Sequence, residues 1–163
     1  MHDRHARAWE LPRFAGWWGH EEKDRFQMGP DFHAMAGAEG WQLSNPPNLA
    51  LAALRASMEI FSDAGMERLR AKSVLLTAYM EFLFRRQASH RFSIITPSEP
   101  DRRGAQLSIR LPEEGRRLCD RLASVGVIAD WREPDTFRVA AAPLYNSFQD
   151  VYRFVLRFLA ALQ

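Results

Sequence analysis

At 163 residues and 47% hydrophobic content, the chain is long enough for one ordinary domain with a core and too apolar for a disordered segment. Its 22 basic and 20 acidic side chains leave a net charge of only +2, so charge gives no support to a nucleic-acid partner, and the pairs Arg85-Arg86, Arg102-Arg103 and Arg116-Arg117 read as solvated surface. The single cysteine, Cys119, excludes an intrachain disulfide and a cysteine-rich metal site and fits a reduced cytoplasm.

The charged start, Met1 to Arg7, has no apolar stretch behind it and is not a secretory signal. No later apolar run reaches the roughly 18–20 residues of a membrane span. Residues 1–45 are rich in Gly, Trp, His and Pro and follow neither the helical nor the strand period. They predict loop-rich structure that leans on something else and, alone, exposes Trp9, Trp17, Trp18 and Trp41. Pro46-Pro47 opens a helix, where proline is tolerated because the first N–H groups have no intrahelical partner; Leu51, Leu54, Met58 and Phe61 form its apolar stripe. Ser62-Asp63-Ala64-Gly65 ends that helix, and Asp63 is the expected N-cap of the next. The second stripe is Leu69, Leu76, Met80 and Leu83, running to about Gln87.

Arg91 to Thr96 is a β-rich run ended by Pro97, and Pro97 to Gly104 is a charged loop. Leu107, Ile109 and Leu111 alternate with polar residues in the period of a half-buried strand. Pro112-Glu113-Glu114 begins a third helix with its acidic residues at the favoured end. Leu118, Leu122 and Val125 face inward, and Gly126 closes the helix in the left-handed conformation. Strands follow at 127–131 and 136–140. Ser147, with Asp150 three residues on, reads as a capping box for a last helix with the stripe Val151, Val155, Phe158 and Leu162. From residue 64 onward the order α, β, β, α, β, β, α predicts an α+β fold: a small, mainly antiparallel sheet with helices packed on one face, preceded by a loop-rich segment and a connecting helix.

Three segments hold an unusual polar group on a stiff backbone. In the run Asp135 to Phe148, Arg138 stands in the middle of an apolar strand. An unpaired charge is costly to bury there, so it either meets an anion or lies on the exposed face of an edge strand. Tyr145 and Asn146 read as shaping the turn that follows. In Ser44-Asn45-Pro46-Pro47 the proline pushes Asn45 into an extended conformation and presents its side chain at the mouth of the helix. There Ser44 or Asn45 serves either as a cap or in a phosphate site, since a helix N-terminus offers orphan N–H groups and the positive dipole end. In Gly16-Trp17-Trp18-Gly19-His20 the tryptophans are buried anchors or ligand contacts, because a buried indole N–H needs a partner; His20 reads as a turn residue. No Gly-x-Gly-x-x-Gly or P-loop pattern occurs, and the five histidines (His2, His5, His20, His33, His90) never form a His-Glu-x-x-His arrangement. His2 and His5 give only a weak metal signal, and no metal site is expected.

Together these segments closely resemble the C-terminal part of kynureninases, over nearly the whole chain. The resemblance implies a pyridoxal 5'-phosphate cofactor and the aspartate-aminotransferase fold type, with residues 1–62 the last piece of the large cofactor domain plus a connecting helix, and 63–163 the small domain. It implies hydrolysis of L-kynurenine or 3-hydroxykynurenine to anthranilate or 3-hydroxyanthranilate and L-alanine, in tryptophan catabolism or NAD biosynthesis in the cytoplasm. By the same resemblance Trp17 and Asn45 contact the cofactor phosphate, Arg138 binds the substrate α-carboxylate and Ser44 lies near the substrate ring. Such residues commonly reach the cofactor across a dimer interface in this fold type, so a homodimer is expected.

The resemblance further implies a Schiff-base lysine upstream of the tryptophan motif, an acidic partner for the pyridine nitrogen and a stacking aromatic. The only lysines are Lys23, in the polar run Glu21-Glu22-Lys23-Asp24-Arg25, and Lys72, on a helix among charged neighbours. Both read as surface residues. These groups are therefore expected in a missing N-terminal half, and the chain alone is expected to be inactive. Rival readings are a related pyridoxal-phosphate enzyme acting on another amino acid, since Arg138 suits any α-carboxylate, and a noncatalytic fragment whose tryptophan-rich segment pairs with the missing half.

Overall fold

The helix after Pro46-Pro47 forms where expected, because residues without a backbone N–H are tolerated only up to the first turn. In the computed structural model, which describes residues 2–8, 10–87, 90–112 and 115–162, α1 runs Asn48–Ala64 and Leu51 donates its N–H to the Pro47 carbonyl at 2.9 Å. The expectations for Trp9, Glu113 and Glu114 lie outside the described residues. Two compact units succeed each other along the chain, Met1–Met58 and Glu59–Gln163. The first is loop-rich: before α1 it carries 3-10 turns at Asp3–His5, Trp17–Gly19 and Glu39–Trp41 and an antiparallel bridge between His20 and Ala34. None of the residues of α1 is buried, and its stripe is exposed, Leu54 by 53% and Met58 by 63%. Among the described residues no helix is long and apolar enough to cross a membrane.

The second unit follows the expected order: α2 (Met66–Arg85), β1 (Ser93–Ile94), β2 (Gln106–Arg110), α3 (Gly115–Ser124), β3 (Asp130–Arg132), β4 (Thr136–Ala140) and α4 (Phe148–Ala161). The four strands make one sheet in the order β1-β2-β4-β3, every neighbouring pair antiparallel. Register sets Ile109, Phe137 and Trp131 side by side on one face, and Ser108, Arg138 and Asp130 on the other. On the first face Leu107, Ile109 and Phe137 are buried against Leu76, Met80 and Phe84 of α2, Leu118 and Leu122 of α3, and Val151, Val155 and Phe158 of α4. Phe158 meets the rings of Phe84, Phe92, Phe137 and Phe154 at inclined or edge-on angles, nearest at 5.0 Å between centroids. The cap of α4 has both arms of the box: Asp150 N–H donates to Ser147 Oγ at 3.2 Å, and Ser147 N–H to Asp150 Oδ2 at 2.8 Å.

Several boundaries move where a local contact decides them. Asp63 lies in the last turn of α1 and is not the N-cap of α2; that place falls to Gly65, whose φ of +80° only glycine adopts cheaply. Arg68 Nη2 donates to the Asp63 carbonyl at 2.8 Å, using an otherwise open C-terminal acceptor. Val125, expected inward, is exposed, since α3 ends at Ser124 and Gly126, at φ +79°, turns the chain so that Val127 N–H reaches the Leu122 carbonyl at 2.9 Å. α2 stops at Arg85, β1 keeps only two residues of its apolar run, and β3 begins at Asp130. Trp18 and Trp41 are partly covered rather than exposed.

Arg103 departs furthest from the solvated-pair reading, whereas Arg85 keeps its side chain 60% exposed. Arg103, only 4% exposed, meets Glu81 Oε2, while Arg85 Nε donates to Glu81 Oε1 at 2.7 Å and the Ser98 hydroxyl adds another bond. Burial pushes the Glu81 carboxyl up, but the hydrogen bonds from Ser98, Arg103 and Arg85, together with the Arg103 charge, outweigh it and bring it down to about 2. The loop 97–104 is thereby fastened to α2. Because this pKa lies below the ordinary 4.5, the cluster stabilises the fold above about pH 4.5, and that contribution is lost as pH falls toward about 2. It amounts to at most about 3 kcal/mol. Glu81→Gln should unfold at lower urea than the native chain at about pH 6, and should lose less further stability between about pH 5 and pH 3.

Gly115 starts α3 against Trp131, and a Cβ there would fall 2.2 Å from the indole ring. Helix propensity favours alanine by about 1 kcal/mol, whereas forcing a methyl into packed space costs about 1–3 kcal/mol. Gly115→Ala should therefore lower Tm; a raised Tm would show that the indole yields freely.

Candidate functional site

Glycines on either side of Trp17-Trp18 let two stretches of backbone touch. A Cβ on Gly16 would stand 2.2 Å from the Leu43 Cα, and one on Gly19 would stand 2.7 Å from the Gly40 carbonyl oxygen. The turn Trp17–Gly19 thus lies against the segment that leads into Ser44-Asn45. Trp18 donates its indole N–H to Asn45 Oδ1, and the Arg25 guanidinium covers its ring at 4.7 Å from the centroid. Trp17 is 48% exposed and meets Phe26 edge-on at 5.5 Å. His20 behaves as a turn residue, its N–H on the Trp17 carbonyl at 3.2 Å and its carbonyl accepting from Arg25 at 3.0 Å.

A primary amide has one oxygen acceptor and two N–H donors. The bond from Trp18 sets the Asn45 oxygen toward the indole and turns the amide NH2 the other way. The Asn45 amide NH2 and the indole N–H of the half-exposed Trp17 are both donors, the complement of a phosphate oxygen. The donor set therefore fits a phosphate, and the Trp18 contact, which the sequence reading did not anticipate, orients one member of it. Ser44 is exposed beside them, its carbonyl accepting from the Gln42 side chain at 3.4 Å.

In the second unit β4 carries Arg138 onto the sheet face away from the helices, with its side chain 33% exposed. The anion that such an arginine needs comes from within the chain: its register partner Asp130 accepts from Nε at 2.7 Å and also from Nη2. The bond from Arg138 holds the Asp130 carboxyl below the usual range against the opposing effect of burial, and a bond from Arg132 and the charges of both arginines add to it. A guanidinium carries five N–H donors in a planar fork. Asp130 takes the Nε–Nη2 edge, and the Nη1–Nη2 edge is the one that remains for a second carboxylate. Beyond β4, Asn146 ties the turn by accepting the Ala142 N–H on Oδ1 at 2.8 Å. Lys72, expected on the surface, is half-buried and donates to the Pro143 carbonyl at 2.8 Å, because α2 passes under that turn.

The candidate residues thus fall into two groups, Trp17, Ser44 and Asn45 in the first unit and Arg138 with Asp130 in the second. A family model described as the kynureninase C-terminal domain matches residues 69–158. The chain belongs to the kynureninase C-terminal domain family. Curated relatives named kynureninase, from Koribacter versatilis and Myxococcus xanthus, are 64% and 59% identical over 99% and 95% of this chain. The chain spans only 38% and 36% of those relatives' lengths. Among solved structures, the cysteine desulfurase CsdA of Escherichia coli superposes with a TM-score of 0.72 at 18% identity, covering 93% of this chain and 38% of that one. A C-DES structure with glycine covalently linked to its PLP cofactor gives 0.66 at 16% identity, over 90% of this chain and 37% of that one. The fold is that of the C-terminal part of PLP enzymes of the aspartate-aminotransferase type.

Within the kynureninase fold, Asp130 is the residue that sequence reasoning missed. Its signal was available: a β3–β4 hairpin turning at Pro134-Asp135 places residue 130 opposite 138. In a carbon-detected NMR titration the Asp130 carboxyl should titrate below the ordinary aspartate midpoint in the native chain and move back toward it in Arg138→Gln. An unchanged midpoint would show that the pair does not persist in solution.

Proposed function

We propose that this chain is the C-terminal part of a kynureninase, which hydrolyses the Cβ–Cγ bond of L-kynurenine or its 3-hydroxy form to the corresponding anthranilate and L-alanine, in tryptophan catabolism or NAD biosynthesis. The observation that carries the reading is the 64% identity to a kynureninase over 99% of the chain. When bound, pyridoxal 5'-phosphate supplies an electron sink for the bond-breaking chemistry. This chain's residues bind and orient. Trp17, through its indole N–H, and Asn45, through the amide NH2 that Trp18 turns outward, take the cofactor phosphate. Arg138 takes the substrate α-carboxylate on its Nη1–Nη2 edge, a planar two-point contact that fixes angle as well as position. Ser44 lies toward the substrate ring.

Residues 1–62 then belong to the large cofactor domain and its connecting helix, and 63–163 form the small domain. The Schiff-base lysine, the partner of the pyridine nitrogen and the stacking aromatic come from the part of the relatives that this chain does not span. The uncovered stripe of α1 supports that reading, because an amphipathic helix gains most of its stability from packing its apolar face. The chain alone is inactive in this view, and the whole protein acts in the cytoplasm as a homodimer.

Placing this chain in the Koribacter versatilis relative, in exchange for the matching segment, tests the reading through anthranilate fluorescence. The chimera should turn over kynurenine, while the 163-residue chain given pyridoxal phosphate alone should not. Arg138→Lys in the chimera should raise KM more than it lowers kcat, since a point charge replaces a fork. A chimera that folds, binds the cofactor and leaves kynurenine untouched while acting on another amino acid would favour the related-enzyme alternative.

A further inference from the structure

Three side chains of the first unit that the kynureninase reading leaves unused converge on one point: His20, Asp24 and His33. Asp24 follows His20 by one turn and sets Oδ1 3.1 Å from His20 Nε2 and Oδ2 2.7 Å from His33 Nδ1. One nitrogen of each imidazole and a carboxylate oxygen all lie within 4.8 Å of one another. Main chain holds them there. The bridge between His20 and Ala34 is flanked by Glu21 N–H on the His33 carbonyl at 2.7 Å and Met35 N–H on the Gly19 carbonyl at 2.8 Å. Arg25 N–H closes the turn on the Glu21 carbonyl at 3.0 Å, and its side chain binds the Trp18 and His20 carbonyls.

A hydrogen-bonded triad accounts for His33 but not for the whole cluster. Asp24 Oδ1 is buried without a hydrogen-bond partner, although His20 Nε2 stands 3.1 Å away. The carboxylate thus lies between the two imidazoles with one oxygen toward each, and the oxygen toward His20 makes no well-directed hydrogen bond, a placement that also suits a shared cation. We propose that His20, Asp24 and His33 form a three-ligand site for Zn2+. Two imidazoles with one carboxylate suit a borderline ion, whereas magnesium and calcium favour all-oxygen sets. Zinc bonds of about 2.0–2.2 Å in a tetrahedron hold ligand atoms about 3.4 Å apart. The His33 ring, 58% exposed, closes the remaining distance by rotation. Water fills the fourth position. The ion ties the turn 20–25 to the segment 33–35 and so stiffens the backbone that carries Trp17 and Trp18, in a unit with few buried side chains of its own.

Calorimetric titration of ZnCl2 into the metal-free, untagged 163-residue chain tests the site, with Co2+ run in parallel for its visible ligand-field spectrum. One ion should bind per chain and raise Tm. Because loss of an outer-shell partner already weakens metal sites by roughly 10–100-fold, Asp24→Asn and His33→Gln should each weaken binding by at least that much. His33 is exposed, so His33→Gln should keep the far-ultraviolet circular dichroism of the native chain. A His2→Gln, His5→Gln double variant should bind like the native chain, which separates this site from the terminal histidines. Absence of stoichiometric binding, or binding that survives either ligand substitution or is lost with His2 and His5, overturns the proposal.

Discussion

Side chains on a strand alternate between two faces, and the central strands β2 and β4 show how much follows from that rule. Phe137 and Ile109 meet the helices, so Arg138 and Ser108 are presented on the opposite face. A slip of one residue would bury a guanidinium and expose two core side chains, which is why the register is held so firmly. The aromatic cluster around Phe158 makes the constraint expensive to violate, since Phe84, Phe92, Phe137 and Phe154 all pack against that ring. The position of the candidate carboxylate-binding arginine is therefore a by-product of where the core phenylalanine has to go.

Two of the internally paired arginines, Arg103 and Arg138, illustrate different uses of the same contact. Arg103 and Glu81 are both nearly enclosed, and the hydrogen bonds from Ser98 and Arg85 leave the carboxylate well satisfied, so the cluster works as a fastening between α2 and the loop before β2. Arg138 is one-third exposed and gives Asp130 only one edge of its fork. The first arrangement has little left to offer a ligand; the second is oriented and still has donors. Burial, more than the presence of an ion pair, separates the structural arginine from the candidate binding one.

In the first unit order comes from close backbone contact instead of a large core. Gly16 and Gly19 permit the contact, Arg25 ties the Trp18 and His20 carbonyls, and Trp18 orients Asn45. Under the proposed function, the uncovered stripe of α1 and the exposed face of Trp17 are surfaces on which the rest of a kynureninase rests. A chain that spans 38% of a relative's length would leave such surfaces open.

Local patterns determined a good deal by themselves. Helical spacing placed the stripes of α2 and α4, the Ser147–Asp150 box marked the start of α4, alternation marked β2, and Gly126 marked the end of α3, because each depends on residues within a turn or two of one another. The motifs around Trp17, Asn45 and Arg138 were enough to bring the kynureninase family into view. Tertiary structure alone decided what those side chains touch. Asp130 for Arg138, Trp18 for Asn45, Glu81 for Arg103 and Asp24 between His20 and His33 are pairings across strands, turns or loops. The energy of such a contact depends on distance, burial and direction, which composition and spacing do not specify until the backbone has brought the partners together.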